Sequence, residues 1–166
     1  MEELLKELVE KNRKFTADGN VANYIPELDK ADKNALGIYV TTLDGQEFFA
    51  GDYNTKFTIQ SISKIISLML AILDNGEEYV FSKVGMEPSG DPFNSIRKLE
   101  TSSRKKPYNP MINAGAIAVA SMIKGKDDRE KFLRLLDFAK LITEDDTLDL
   151  NYKIYIGESD TGFRNY

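Results

Sequence analysis

No cysteine and no histidine occur in the 166 residues. Without cysteine there is no disulfide framework, no thiol nucleophile and no thiolate metal site. Without histidine there is no Ser-His-Asp triad and no imidazole-ligated metal. Most common hydrolase machinery is thereby excluded, and any nucleophilic chemistry must take its base from Lys, Tyr or a carboxylate. An all-carboxylate Mg²⁺ or Ca²⁺ site would survive these absences, but "EDDTLDLN", residues 144–151, lacks the loop Gly and terminal Glu of a calcium loop and reads as a solvated turn. No metal is expected.

Long apolar runs are missing too. The longest, Ile65 to Leu73, falls far short of the roughly 18–20 residues that cross a bilayer. The N-terminal "MEELLKELVEKNRK" mixes acids into its apolar positions, unlike a signal sequence. A cytoplasmic protein is expected. A long basic block is missing as well: the net charge is −5, and "SSRKKP", residues 102–107, is the single basic cluster. A nucleic acid or an anionic membrane needs a positive face to neutralise phosphates, so neither is an expected partner, and the cluster reads as a solvated loop. What is present, 42% hydrophobic and 30% charged residues, suits one globular domain with a sizeable core.

Leu4, Leu5, Leu8 and Val9 recur at helical spacing, predicting an amphipathic helix over 2–13. Pro26 argues against a helix running on through Ile25. "ALGIYVTTLDGQEFFAGD" reads as a β-hairpin, with β-branched and aromatic residues on both sides of the turn dipeptide Asp44-Gly45. An apolar helix over about 61–74 ends at Asn75-Gly76, and the small residues of "NPMINAGAIAVASMIKG" suit a tightly packed buried helix. A further amphipathic helix over about 128–142 precedes the β-prone piece "YKIYI". The pattern is α+β. A two-stranded sheet is marginal in water and wants more strands, yet only one further candidate, near residue 152, is on offer. The chain therefore reads as the first part of a longer protein.

Ser-x-x-Lys places a hydroxyl and an amine one helical turn apart, where a lysine neutralised by burial or nearby positive charge can take the serine proton. The spacing alone decides nothing, because it occurs at Ser61/Lys64, Ser95/Lys98, Ser102/Lys105, Ser103/Lys106 and Ser121/Lys124. Only Ser61 combines a strand-like approach, a helix N-terminus favouring negative charge, and an apolar helix that carries its lysine inward. The competing reading makes Ser61 or Ser63 a helix cap and lets Lys64 reach the surface.

"FTIQSISKI" resembles the nucleophile segment of the serine-dependent glutaminases, relatives in fold of class A β-lactamases and penicillin-binding proteins. "VANYIPEL", "GIYVTTLDGQEFFAGD", "VGMEPSGDPFNS" with "PYNPMINAGAI", and "GESDTGFRN" agree in the same order, from about residue 19 to the C-terminus. The resemblance implies a truncated β-lactamase/transpeptidase-like fold with an N-terminal helix, the hairpin of the central sheet and part of the helical domain. Residues 1–166 would then be one incomplete domain, with about 1–60 the sheet part and about 61–166 the helical part. It implies hydrolysis of L-glutamine to glutamate and ammonia through an acyl-enzyme, with no cofactor, in a homo-oligomer.

By motif, Ser61 becomes the nucleophile and Lys64 its proton acceptor, while Tyr24, Gln60, Asn113, Glu158 and Asn165 fall where the family contacts its substrate. Free glutamine carries an α-ammonium that a carboxylate such as Glu158 can meet, and an α-carboxylate suited to donors such as Asn113, Asn165 and Tyr24. On the residues alone, Tyr24 reads as a packing residue, Asn113 as a helix cap, and Glu158 and Asn165 as loop residues. Gly157 departs from the family pattern, which has Ser before the glutamate. The family's later sheet strands, its assisting tyrosines, its Lys-Ser-Gly-like strand and its second oxyanion N–H would lie beyond Tyr166. Two alternatives accompany this reading: another acyl-serine hydrolase of the same fold acting on β-lactams or peptides, and a non-catalytic fragment binding through an exposed sheet edge.

Overall fold

A computed structural model describes residues 1–90, 92 and 106–161. Asn165, the "TGFRNY" terminus and the pairs Ser95/Lys98 and Ser102/Lys105 involve residues outside that set. The architecture is α+β, with six α-helices and two strands among the described residues. The chain packs as two units: Met1–Thr58 with the segment that starts at Asn151, and Ile59–Leu150.

In the first unit, helix α1 (Glu2–Arg13) carries acids in its first turn and bases in its last, each matched to the helix dipole. It buries Leu5 and Val9 against Ala50, with Leu36, Ile38, Val40 and Phe48 packed around them. Strands β1 (Gly37–Thr41) and β2 (Glu47–Gly51) pair antiparallel, Ile38 facing Ala50 and Val40 facing Phe48. Because strand side chains alternate, these four line the face under α1, while Tyr39, Phe49 and Tyr53 stack on the other face, the last two with ring centroids 4.1 Å apart. The tight turn follows from Gly45, whose φ of +80° suits only glycine well. The Asp44 carboxylate accepts from the Thr42 hydroxyl and the Gln46 amide. At the open end, Asp52 accepts from the Leu36 N–H (2.9 Å) and Arg13 (3.1 Å), clasping strand to helix.

The expected third strand near residue 152 is instead a helix, α6 (Tyr152–Thr161). The backbone oxygen of Asn151 accepts from the Tyr155 N–H and its side chain accepts from the Ile154 N–H. This cap outweighs the weak strand preference of a five-residue apolar piece. Gly157 lets the helix approach Ile25, which is fully buried. A Cβ on Gly157 would stand 2.8 Å from Ile25 Cγ2. The family's Ser at this position would not fit without movement.

The second unit is helical: α2 (Ser63–Asn75), α3 (Glu77–Lys83), α4 (Asn113–Ser121) and α5 (Asp128–Thr143). Its core joins Leu70 and Ala71 of α2, Val80 and Val84, and Val119 and Ile123, ringed by partly buried Leu135 and Phe138 of α5. Gly76, at φ +84°, ends α2 and starts α3. Helix α3 was not anticipated; the run "EEYVFSK" has acids first and a base last, a dipole match too short to stand out. Helix α5 opens on a reciprocal cap, Asp127 accepting from the Glu130 N–H and Glu130 from the Lys126 N–H.

Near its C-terminal end α2 is tied to distant residues at two positions. Asn75 donates to the Met122 carbonyl at 2.8 Å. Asp74 accepts from Arg134 at 2.6 and 2.7 Å and from the Lys124 N–H at 2.8 Å.

Candidate active site

Helix α2 does not start on a serine cap. A short turn, Gln60–Ile62, precedes it, and Ile62 stands at the cap position without a side-chain bond. Ser63 turns its hydroxyl back to the Gln60 carbonyl at 2.7 Å. Gln60 itself has φ +43°, a left-handed conformation that costs a non-glycine residue about 1–2 kcal/mol. The strain falls on the residue immediately before Ser61. Ser61 is exposed at this turn, at the mouth of α2 where the helix dipole favours negative charge.

Lys64 lies in the first turn of α2 and does not run out to solvent. Its Nζ donates to the Met111 carbonyl and to Asn113 Oδ1, both at 2.8 Å. Burial lowers its pKa below the ordinary lysine value. A lysine amine that has lost its proton carries a lone pair, which is what a base offers to a hydroxyl proton. A hydroxyl three residues earlier is a suitable source.

Asn113 is the first residue of α4, with Ile112 at the cap position. The expected capping role does not hold: its oxygen accepts from Lys64 instead. Its amide nitrogen therefore remains the donor end. Met111, whose carbonyl holds the other side of the amine, was not singled out from the sequence, since a backbone acceptor leaves no side-chain signature. The Asn109-Pro110 dipeptide just before it was the available cue that a turn is built there.

Gln60, Ser61, Lys64 and Asn113 thus belong to the second unit and gather about the start of α2. Tyr24 and Glu158 belong to the first. Tyr24 is exposed beside Ile25, Glu158 is half-buried beside Gly157, and the contact between Ile25 and Gly157 brings their two segments together. Asn165 is outside the described residues. No helix among the described residues is long and apolar enough to cross a membrane.

An α+β chain that presents a serine at a helix start, with a lysine amine held one turn later, has the parts of a serine acyl-transfer protein. The comparisons are more specific. The glutaminase family model matches residues 19–166, and the chain belongs to the glutaminase family. A curated glutaminase of Fusobacterium nucleatum subsp. nucleatum is 98% identical over 166 residues, which are 100% of this chain and 55% of that protein. One from Clostridium botulinum is 59% identical over 99% of this chain and 54% of its own length. The chain thus spans about half the length of the curated relatives it matches.

Among solved structures, the Bacillus subtilis glutaminase in covalent complex with 5-oxo-L-norleucine, formed by reaction with 6-diazo-5-oxo-L-norleucine, superposes with a TM-score of 0.84 at 36% identity. That match covers 99% of this chain and 50% of the other. A Bacillus glutaminase in the presence of 4.3 M NaCl gives a TM-score of 0.87 at 37% identity, with the same coverage.

Proposed function

We propose that this chain supplies the nucleophile and base of a glutaminase that hydrolyses L-glutamine to L-glutamate and ammonia, and that it forms one incomplete domain of that enzyme. The observation that carries the reading is the Lys64 amine, partly desolvated and fixed by Met111 and Asn113 one turn beyond Ser61.

In this mechanism neutral Lys64 takes the Ser61 proton as Oγ attacks the side-chain amide carbon of glutamine, giving a tetrahedral oxyanion. The start of α2 favours that charge. Collapse breaks the C–N bond, the Lys64 proton passes to the departing nitrogen, and ammonia leaves a glutamyl ester on Ser61. Water, giving a proton to Lys64, attacks the ester; glutamate departs and Oγ recovers its proton. Gln60, Asn113, Tyr24, Glu158 and Asn165 contact substrate, Glu158 taking the α-ammonium and the neutral donors the α-carboxylate. No cofactor enters the reaction. The surrounding proposals are a cytoplasmic location, a homo-oligomeric assembly and no nucleic-acid partner, the last resting on the net charge of −5.

Glutamine-dependent ammonia release, measured on this chain and on one extended to the length of its relatives, tests the reading. Activity in the extended chain that disappears with Ser61→Ala supports it; no release from the extended chain, or an unchanged rate in Ser61→Ala, overturns it. The structure of the Bacillus subtilis relative adds a second assay, since 6-diazo-5-oxo-L-norleucine reacts covalently with that protein. The same reagent should add mass to the peptide containing Ser61. Labelling by a fluorescent penicillin would favour the β-lactam reading instead.

The hairpin favours a second role. With two strands among the described residues and Tyr39, Phe49 and Tyr53 stacked on one face, it offers edges for strand addition by a partner. Concentration-dependent sizing checks this, and a monomer up to high concentration counts against it.

A further inference from the structure

The two oxygens that hold the Lys64 amine, those of Met111 and Asn113, lie in one turn, and that turn has its own anchor. Asn109 Oδ1 accepts from the Met111 N–H at 2.9 Å and the Ile112 N–H at 3.2 Å. Its Nδ2 donates to the Glu87 carbonyl at 2.9 Å. Neighbouring backbone pairs, Gly85 N–H to the Pro107 carbonyl and Glu87 N–H to the Tyr108 carbonyl, bring segment 107–109 alongside 85–87. On the other side the first turn of α4 presses on the same backbone: a Cβ on buried Gly115 would stand 1.9 Å from the Asn109 carbonyl oxygen. One neutral side chain thus ties the turn to the 85–87 segment and organises the two N–H groups that precede Asn113.

We propose that Asn109 is a positioning residue for the Lys64 amine, fixing the Met111–Asn113 turn so that both of its oxygens face Nζ and water is kept out. The Asn109 side chain bonds to the Met111 and Ile112 N–H groups and the Glu87 carbonyl, not to Lys64 itself. It acts by fixing the acceptors, and a short polar side chain that accepts two successive N–H groups while donating to a third segment meets that need. The proposal rests on the reading of Lys64 as the base, but it makes a statement about Lys64 that holds whether or not glutamine is the substrate.

The test reads the lysine rather than the reaction. The chain is prepared with ¹³C,¹⁵N-lysine, the Lys64 side-chain signal is assigned by its loss in Lys64→Met, and its titration is followed by NMR. In the wild type it should titrate below the ordinary lysine value, in keeping with its burial. In Asn109→Leu the turn loses its anchor and water can reach the amine, so the titration should move up, toward the ordinary lysine value of roughly 10.4. Asn109→Ser, whose hydroxyl can still accept from a nearby N–H, should fall between the two.

An unchanged Lys64 titration in a folded Asn109→Leu chain overturns the proposal. If that variant does not fold, Asn109→Ser carries the test, and an unchanged titration there overturns it equally. The ammonia assay keeps the two readings apart. An upward shift with no glutamine hydrolysis supports the positioning role while the glutaminase reading falls, and hydrolysis with an unmoved titration removes only the role of Asn109.

Discussion

Replacing Arg134 with Met tests how the helical unit is held together. Asp74, near the C-terminal end of α2, is only 8% exposed, whereas Arg134 is 36% exposed. The carboxylate accepts two bonds from the guanidinium, at 2.6 and 2.7 Å, and one from the Lys124 N–H at 2.8 Å. The same arginine donates to the Lys124 carbonyl. Arg134→Met therefore leaves a nearly buried carboxylate with a single donor.

Because Arg134 is more than a third exposed, solvent screens the pair, and the loss is that of leaving a partly buried carboxylate short of its donors, about 1–3 kcal/mol. At about 2–4 °C per kcal/mol for a chain of this size, the melting temperature at pH 7 should fall by roughly 2–12 °C. The sign with pH follows from Asp74, whose pKa is lowered chiefly by its hydrogen bonds to Arg134. A depressed carboxylate contributes stability above its unfolded-state pKa of roughly 3.9 and loses it as pH falls through the folded value. The gap between wild type and variant should therefore be full at neutral pH and narrow below about pH 4. Thermal melts by circular dichroism across that range decide it. A variant within about 1 °C of wild type at pH 7, or a gap that persists undiminished at the acid end, would refute the reasoning.

Gly157→Ser should destabilise by about 1–3 kcal/mol, because the new Cβ overpacks against buried Ile25; a melt equal to the wild type's would show that the helix can back away freely. Val119→Ala removes two methyl groups from a fully buried core position and should cost about 2 kcal/mol in a denaturant titration. Gln60→Gly should relieve the φ of +43° and raise stability by up to about 1 kcal/mol, while slowing glutamine turnover in the extended chain; a faster enzyme would contradict the role given to this turn. Since burial lowers the Lys64 pKa, turnover should rise with pH as Lys64 loses its proton and level off below the range of an ordinary lysine. A limb that follows the ordinary value would leave Lys64 fully hydrated in the working enzyme.

Elements built from short-range signals were the legible ones. The helical spacing of Leu4, Leu5, Leu8 and Val9, the Asp44-Gly45 turn and the Asn75-Gly76 stop each determine structure within a few residues, and α1, the hairpin and α2 lie where those signals place them. The piece "YKIYI" shows the opposite case. Its strand-forming residue types are real, but Asn151 caps the segment and Gly157, just after it, packs against Ile25, so α6 forms. The site divides along the same line. Ser61 and Lys64 were marked by local context, whereas the strained φ of Gln60 and the carbonyl of Met111 are backbone properties with no side-chain trace.

The contrast with another Ser-x-x-Lys pair shows why spacing could not decide the matter. Ser121 spends its hydroxyl on the Ala118 carbonyl within its own helix, and the backbone of Lys124 is committed to Asp74 and Arg134. Lys106, from a pair whose serine lies outside the described residues, donates to the Phe81 carbonyl at 3.1 Å. These contacts are structural. Lys64 differs because both of its acceptors come from one turn, 47 and 49 residues further along the chain. The amine is held by that turn and partly stripped of water, one helical turn beyond Ser61. A lysine becomes a base through what packs over it, so the same four-residue spacing is inert wherever no distant turn arrives to hold the amine. The chemistry proposed for the pair therefore depends on the Asn109–Asn113 segment as much as on the serine and lysine themselves.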